Sequence, residues 1–398
     1  MNKKKVVIIG GGFGGVRTAL DLAKNKNLQV VLISNNRNFE YYPGLHKLVG
    51  VSHHAVASVP LEKILSGKAI EFIFGAVSSV DTDKKIITIG SQTITADYIV
   101  IAVGSQTEYF GISGLRAMSY GLKSVAEAIA LRNHIEEMFQ KHAHTEKTES
   151  VVGLHMIVVG AGPNGTDLAG ELAVLSRQLA KKYNVTETLV TINLVEGAPR
   201  VLPMLSEQAS ARVAKRLQDL GVEVLCNRDL RKEDGWTVEF ADMKIGAKTL
   251  VWTAGITTNE LVKNISGLVL GKKNRVAVDE YLQPKKSDGT SIANVFVIGD
   301  VADTPYSGLA QTALYDASFV SKNISSSARG SALKKYIPHP NAFNIGVGPR
   351  WSVLVIGKFT SFGLFPYIMR TLIDIKYFLS ILPVGEVWKL YFDNKVKN

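Results

Sequence analysis

Val6-Val7-Ile8-Ile9-Gly10-Gly11-Gly12-Phe13-Gly14-Gly15 and Met156-Ile157-Val158-Val159-Gly160-Ala161-Gly162-Pro163-Asn164-Gly165 each place a short apolar run directly before G-x-G-x-x-G. The apolar run reads as a buried strand, and a helical pattern follows each glycine cluster. In such a turn the first glycine takes a conformation that a β-carbon hinders. The second lets backbone approach a pyrophosphate, and the third lets helix pack on strand. A diphosphate then sits at the helix N-terminus, where outward N–H groups and the helix dipole favour an anion. Either stretch alone is compatible with an ordinary α/β turn. The pair predicts two dinucleotides in one chain, the arrangement needed to pass electrons from one to the other.

The 398 residues suit two domains plus an appendage, and 46% hydrophobic with 20% charged residues is a globular balance. Lys+Arg of 46 against Asp+Glu of 35 gives +11, which favours anionic partners: dinucleotides, acidic proteins, nucleic acid or anionic lipid. Cys226 is the only cysteine, so no intramolecular disulfide and no cysteine-built metal site can form. It ends the apolar run from Val222 and reads as a small strand residue. His53-His54 and His142/His144 read as solvated, and no metal is expected. Met1-Asn2-Lys3-Lys4-Lys5 leads straight into the first strand, which argues against a signal peptide and for the cytoplasmic side.

Strand 6–9, helix 14–24 and strand Leu28–Ile33 form the first βαβ unit. Ser34 stands where an acidic residue would grip an adenosine ribose, leaving that contact to Ser34, Asn35 or a neighbour. Apolar runs at Phe72–Phe74, Ile86–Ile89 and Tyr98–Ala102 predict a small antiparallel sheet returning to a core strand. Ser124 with Glu127 three residues on predicts a capped helix to Ala143, apolar through Ile129 and Ile135, and then a polar linker to Ser150. Glu196 ends the strand Ile192–Val195, where a carboxylate accepts ribose hydroxyls and repels the extra phosphate of NADP, so NADH is favoured. Val295–Asp300 is a further buried strand ending in Gly-Asp, before a helix near Leu309–Ala313. The Asp300 carboxylate could bind a sugar-chain hydroxyl or form an ordinary Asx turn.

The chain resembles the two-dinucleotide-binding-domain flavoproteins, most closely type II NADH:quinone oxidoreductases and relatives of the apoptosis-inducing factor type. The resemblance rests on Gly10–Gly15, Asp97-Tyr98 with Ala102-Val103-Gly104, Gly160–Glu171, Val195-Glu196, Trp252-Thr253-Ala254-Gly255, Ile298-Gly299-Asp300 and Ala310-Gln311-Thr312-Ala313. It implies an α/β fold of two Rossmann-like domains: a discontinuous FAD domain over 1–112 and 270–345, and an inserted NAD(H) domain over 113–269. It further implies FAD contacts from Gly10, Gly12, Phe13, Gly14, Gly15, Ser34, Asn35, Val77, Ala102, Gly104, Gly299, Asp300, Gln311, Thr312 and Ala313, with Asp300 on the ribitol. NADH would contact Gly160, Gly162, Pro163, Asn164, Gly165, Glu196 and Gly255, with Glu171 orienting the nicotinamide. Gly44, Leu45, Gln311 and Tyr315 are candidates for the flavin and quinone end. The family segment Ala-Gln-x-Ala-x-Gln-Gln ends here in Tyr315-Asp316, which puts the quinone in question. Sulfide:quinone oxidoreductases are also similar, but a single cysteine removes their sulfur chemistry.

Residues 346–398 are expected to form a C-terminal membrane-association segment. Pro366–Leu382 predicts an amphipathic helix with Arg370 and Asp374 on a narrow polar stripe, followed by Trp388, Tyr391 and Phe392. With three charges it is poorly suited to span a bilayer, and from 350 onward seven Lys/Arg oppose three Asp/Glu. An interfacial anchor and a helix packed on the protein or at a dimer interface are both compatible. The expected function is non-proton-pumping transfer of hydride from NADH to FAD and of electrons to a membrane quinone, at the cytoplasmic face. An NADH-dependent reductase of a ferredoxin-like carrier and an NADH-sensing interaction flavoprotein are the alternatives. No nucleic-acid partner is expected, and a homodimer is left open.

Overall fold

The computed structural model describes residues 3–50, 56–144, 154–233, 237–340 and 342–393. The chain forms two compact units. The first comprises 1–40, 58–106 and 256–341, and the second comprises 41–57, 107–255 and 342–398. This division differs from the expected boundaries at 112/113, 269/270 and 345/346. It also assigns the aromatic stretch Tyr41-Tyr42-Pro43 to the second unit.

In the first unit a five-stranded parallel sheet runs in the order Val295–Val297, Tyr98–Ile101, Lys4–Ile9, Leu28–Ser34, Ile70–Phe74. Its three inner strands are apolar on both faces because both are covered, as parallel sheets require. Ile9 sits level with Ile33 on one side and Ile101 on the other. The helices Phe13–Leu22 and Ala310–Ser327 pack together beside this sheet. The expected antiparallel sheet exists but is built from Val77–Asp81, Ile86–Ile89 and Gln92–Thr95. Phe72–Phe74 belongs instead to the edge of the parallel sheet, where Arg37 lies over the exposed Phe74 ring at 4.2 Å.

The second unit has its own parallel sheet, in the order Val222–Cys226, Thr191–Glu196, His155–Val159, Thr249–Trp252. The helix Val125–His144 starts as predicted, the Glu127 N–H donating to Ser124 Oγ at 3.1 Å. Its buried face is Ala128, Leu131, Ile135, Met138 and Phe139, whereas Ile129 is exposed, contrary to expectation. Beyond His144 the predicted linker lies outside the described residues, as do His53 and His54. Phe343–Gly346, Ser352–Ile356 and Phe359–Gly363 form a three-stranded antiparallel sheet that the sequence did not announce.

The C-terminal helix runs Leu364–Ile381 and is inside out. Arg370 and Asp374 are 8% and 5% exposed, while Leu364, Phe365, Ile368, Leu372, Ile373 and Leu379 are 44–56% exposed. The polar stripe therefore faces the protein, because partners wait for it there. Arg370 donates to both Asp167 oxygens at 2.8 and 3.0 Å and to the Pro43 carbonyl at 3.2 Å. Asp374 accepts from the Tyr41 hydroxyl at 2.6 Å and from Lys47 Nζ at 3.1 Å. Burial opposes the Arg370 charge, but the Asp167 carboxylate, together with Asp374 and Tyr41, outweighs it and raises the guanidinium above its ordinary value. Among the described residues no helix is long and apolar enough to cross a membrane.

Removing one partner of a buried pair strands the other charge, at a cost of about 3–5 kcal/mol. Arg370→Met is therefore expected to lower the urea midpoint strongly. Ile368→Glu, on the exposed face of the same helix, should shift stability by no more than about 0.5 kcal/mol.

Candidate functional site

In the first unit the sheet's carboxyl ends meet the N-terminus of helix Phe13–Leu22. Gly10 has φ +117°, and a β-carbon there would fall 2.3 Å from the Ala102 carbonyl oxygen. A β-carbon on Gly15 would lie 1.8 Å from the Gly10 carbonyl, so helix and strand close to a distance only glycine permits. Gly12 differs: it caps the helix with φ −87° and has nothing within 4 Å of its missing side chain. That open side, in front of the first helical turn, is where a diphosphate fits.

Around this turn the structure gathers further predicted residues. A β-carbon on Gly14 would meet Ile298 at 3.1 Å and the Ala313 carbonyl at 3.6 Å. Gly104 and Gly299 both take left-handed backbone, φ +67° and +75°. Asp300 accepts from Ser105 Oγ at 2.7 Å, joining the turn after the Tyr98–Ile101 strand to the turn after Val295–Val297. Gln311, Thr312 and Ala313 form the first turn of the helix Ala310–Ser327, with Gln311 exposed and the other two buried. Thr312 is fixed by donating to the Tyr306 carbonyl at 2.7 Å. Phe13 is buried edge-on against Phe39, with ring centres 5.0 Å apart. Ser34 is buried at its strand end and accepts the Asn36 N–H at 3.1 Å, and Asn35 beside it is exposed. Val77 opens the small antiparallel sheet and packs on the unit's core.

The second unit repeats the construction. Gly160 has φ +100° with Ala254 where its β-carbon would be, and a β-carbon on Gly165 would lie 1.9 Å from the Gly160 carbonyl. Gly162, φ −72°, again has open space, and Pro163 begins the helix Pro163–Tyr183 with Asn164 exposed after it. Glu196 accepts the Ala161 N–H at 2.7 Å and the Ala198 N–H at 2.9 Å. Two amides therefore fix the carboxylate beside the fingerprint turn, and its remaining lone pairs suit a ribose diol. Arg200 is turned toward the Pro203 carbonyl, 3.1 Å away. Gly255 packs under the Phe110 ring.

Glu171 lies further along the same helix. A β-carbon on Gly50 would fall 2.2 Å from Glu171 Oε2, so the carboxyl group rests on the Gly50 backbone. Arg132 grips that backbone too, donating to the Val49 and Gly50 carbonyls at 3.0 and 2.6 Å. Gly44 and Leu45 are buried in this unit, Leu45 within its core, whereas Gln311 and Tyr315 belong to the first unit. Sequence reasoning missed the neighbouring cluster of Asp167, His46, Tyr41, Asp374 and Arg370. His46 is 3.9 Å from Asp167, and burial pushes its imidazole down to about 3, so it stands neutral. The Tyr41 hydroxyl is raised above its usual value by burial and then by Asp374.

Gly12 and Gly162 each have open space at the β-carbon position, and that is the space a bound diphosphate would need. Gly12→Val and Gly162→Val should keep the folded state within about 1 kcal/mol. Each should weaken its own nucleotide about a hundredfold by titration, roughly 2.7 kcal/mol.

The pyridine nucleotide-disulphide oxidoreductase family profile matches residues 4–317. A type II NADH:quinone oxidoreductase of Staphylococcus aureus is 28% identical over 415 aligned positions, covering 98% of this chain and 98% of its own. Among solved structures, NDH2 from Plasmodium falciparum in complex with NADH superposes with a TM-score of 0.85 at 18% identity, covering 100% of this chain and 98% of that one. The sulfide:quinone oxidoreductase of Aquifex aeolicus superposes at 0.77 and 22% identity, covering 98% and 95%. With both fingerprints formed and most of its length matched, the chain belongs to the pyridine nucleotide-disulphide oxidoreductase family.

Proposed function

We propose that this protein is an FAD-dependent NADH:quinone oxidoreductase seated on a membrane surface by its C-terminal helix. The observation that carries the reading is the double fingerprint, each with an open second glycine before a helix N-terminus, in a chain matched end to end by a type II NADH:quinone oxidoreductase. The lone Cys226 excludes the dithiol chemistry of the disulphide reductases, and burial followed by Glu196 raises its thiol away from reactivity. Electrons must then leave to an acceptor other than an internal disulfide.

FAD, when bound, would supply a two-electron acceptor that takes hydride from nicotinamide and is reoxidised by quinone. The first-unit residues fit it: Gly12 leaves room for the diphosphate before a helix that Gly10 and Gly15 let close on the strand, and Asp300, steadied by Ser105, offers a carboxylate to the ribityl hydroxyls. The first turn of Ala310–Ser327, with Ala313 against Gly14, directs its positive helix end toward the same place. NADH is held by the Gly160–Gly165 turn and by Glu196, and Glu171 orients the nicotinamide from its seat on Gly50. Gln311 and Tyr315, four apart on one exposed helix face, are the residues offered to quinone.

The inverted helix supports the membrane reading. Its apolar residues face outward with Val384 and Trp388, 72% and 60% exposed, where an acyl boundary and headgroup region would cover them. Deleting this helix would strand Asp167, so point changes are the sharper probe. Leu372→Glu with Ile373→Glu should abolish flotation with anionic vesicles while NADH oxidation by a soluble acceptor persists. Unchanged flotation would reject the anchor.

Anaerobic NADH is expected to bleach the flavin spectrum, and added quinone to restore it. Bleaching without recovery would remove quinone as acceptor. Glu196→Ser should raise KM for NADH about tenfold, roughly 1.4 kcal/mol, and narrow the preference over NADPH.

A further inference from the structure

The segment opened by Ala310-Gln311 ends in Asp316, and this carboxylate is completely buried, at 0% exposure. Its Oδ2 accepts the Gly299 N–H at 3.0 Å and its Oδ1 accepts the Tyr336 hydroxyl at 2.6 Å. Gly299 is the left-handed residue directly before Asp300, and a β-carbon on it would sit 3.2 Å from the Ala313 side chain. Asp316 thus ties the turn bearing Asp300 down onto the helix from beneath.

Tyr336 is delivered to this point by an irregular strap. Asn323 on the same helix makes two bonds to Lys334, donating to its carbonyl at 3.0 Å and accepting its N–H at 3.0 Å. The Tyr336 N–H donates to the Glu280 carbonyl, and its ring meets Phe319 and Tyr315 edge-on at 5.1 and 5.8 Å. The titratable groups acting on Asp316 are Tyr336 and Asp300. Burial raises its carboxyl, the Tyr336 and Gly299 bonds pull it down and Asp300 adds a smaller rise, leaving it at about 6. With no cation among those influences, the two hydrogen bonds are what keep Asp316 ionised at neutral pH.

We propose that Asp316 is a positioning residue for the flavin chain: with Tyr336 it locks the Gly299–Asp300 turn, and the lock weakens when its carboxylate is protonated. This rests on the reading of the first unit as the FAD site. It goes beyond it by assigning control of flavin retention to a side chain buried beneath the turn. The sign follows from the bond type: an N–H donated to a carboxylate is about twice as strong as one donated to a neutral oxygen. Retention should therefore fall as pH drops through about 6.

The test is release of FAD fluorescence from the yellow holoenzyme between about pH 5 and 8. Wild type should lose affinity about fivefold across the step. Asp316→Asn preserves both bonds in outline but not the charge, and should hold flavin at the wild-type low-pH level with no step. Tyr336→Phe removes the bond that favours ionisation and should move the step to higher pH. A purely structural role would lower Tm in these variants but leave the step in place, and that result overturns the proposal. A wild type that takes up no flavin at any pH overturns the FAD reading and this proposal together, whereas a yellow wild type isolates the role of Asp316.

Discussion

The closest constraint in this molecule is steric: at two strand-to-helix turns a carbonyl oxygen occupies the space of a side chain. The Gly10 carbonyl sits where a β-carbon of Gly15 would be, and the Gly160 carbonyl stands in the same relation to Gly165. From that contact follow the placement of each helix N-terminus at the sheet's carboxyl end and the clearance over Gly12 and Gly162. The neighbouring strands are bound by the same geometry, since Ala102 closes over Gly10 and Ala254 over Gly160. The open space before each helix is thus a by-product of how tightly backbone meets backbone.

Charge is handled in opposite ways at the molecule's surface and inside it. Scattered exposed pairs such as Lys141 with Glu137 contribute little. Three of the most buried charged groups, by contrast, are held by matched partners: Arg370 between Asp167 and Pro43, Asp374 between Tyr41 and Lys47, Asp316 between Gly299 and Tyr336. Unpaired, any of them would cost several kcal/mol. Paired, they fix the orientation of the elements that carry them. The second fingerprint helix is held in this way through Asp167, and Glu171 rides on the same helix.

The fingerprints, the core strands beside them and the acidic residues at strand ends were legible in the sequence because each rests on a local pattern with one physical meaning. Three kinds of feature were not. The Phe343–Gly363 sheet has short strands whose alternation is weak and whose partner strands only tertiary packing supplies. Ile129 was assigned to the core by residue type, while the helix's true buried face runs through Ala128, Leu131 and Ile135. Arg370 and Asp374 read as a polar stripe and Asp316 as a departure in the quinone segment, since nothing local reveals that a partner hundreds of residues or a single strap away will bury them. Burial of charge is a property of the assembled fold and leaves no periodicity behind.

The cluster beneath the C-terminal helix draws on three segments far apart along the polypeptide: Tyr41–Lys47, Asp167 and Arg370–Asp374. A nascent chain emerging from the ribosome therefore presents Asp167 long before its counter-ion exists. The second unit cannot reach its final packing until residues 370–374 have been made. The apolar outer face of that helix takes its outward orientation only once Arg370 and Asp374 have found these partners.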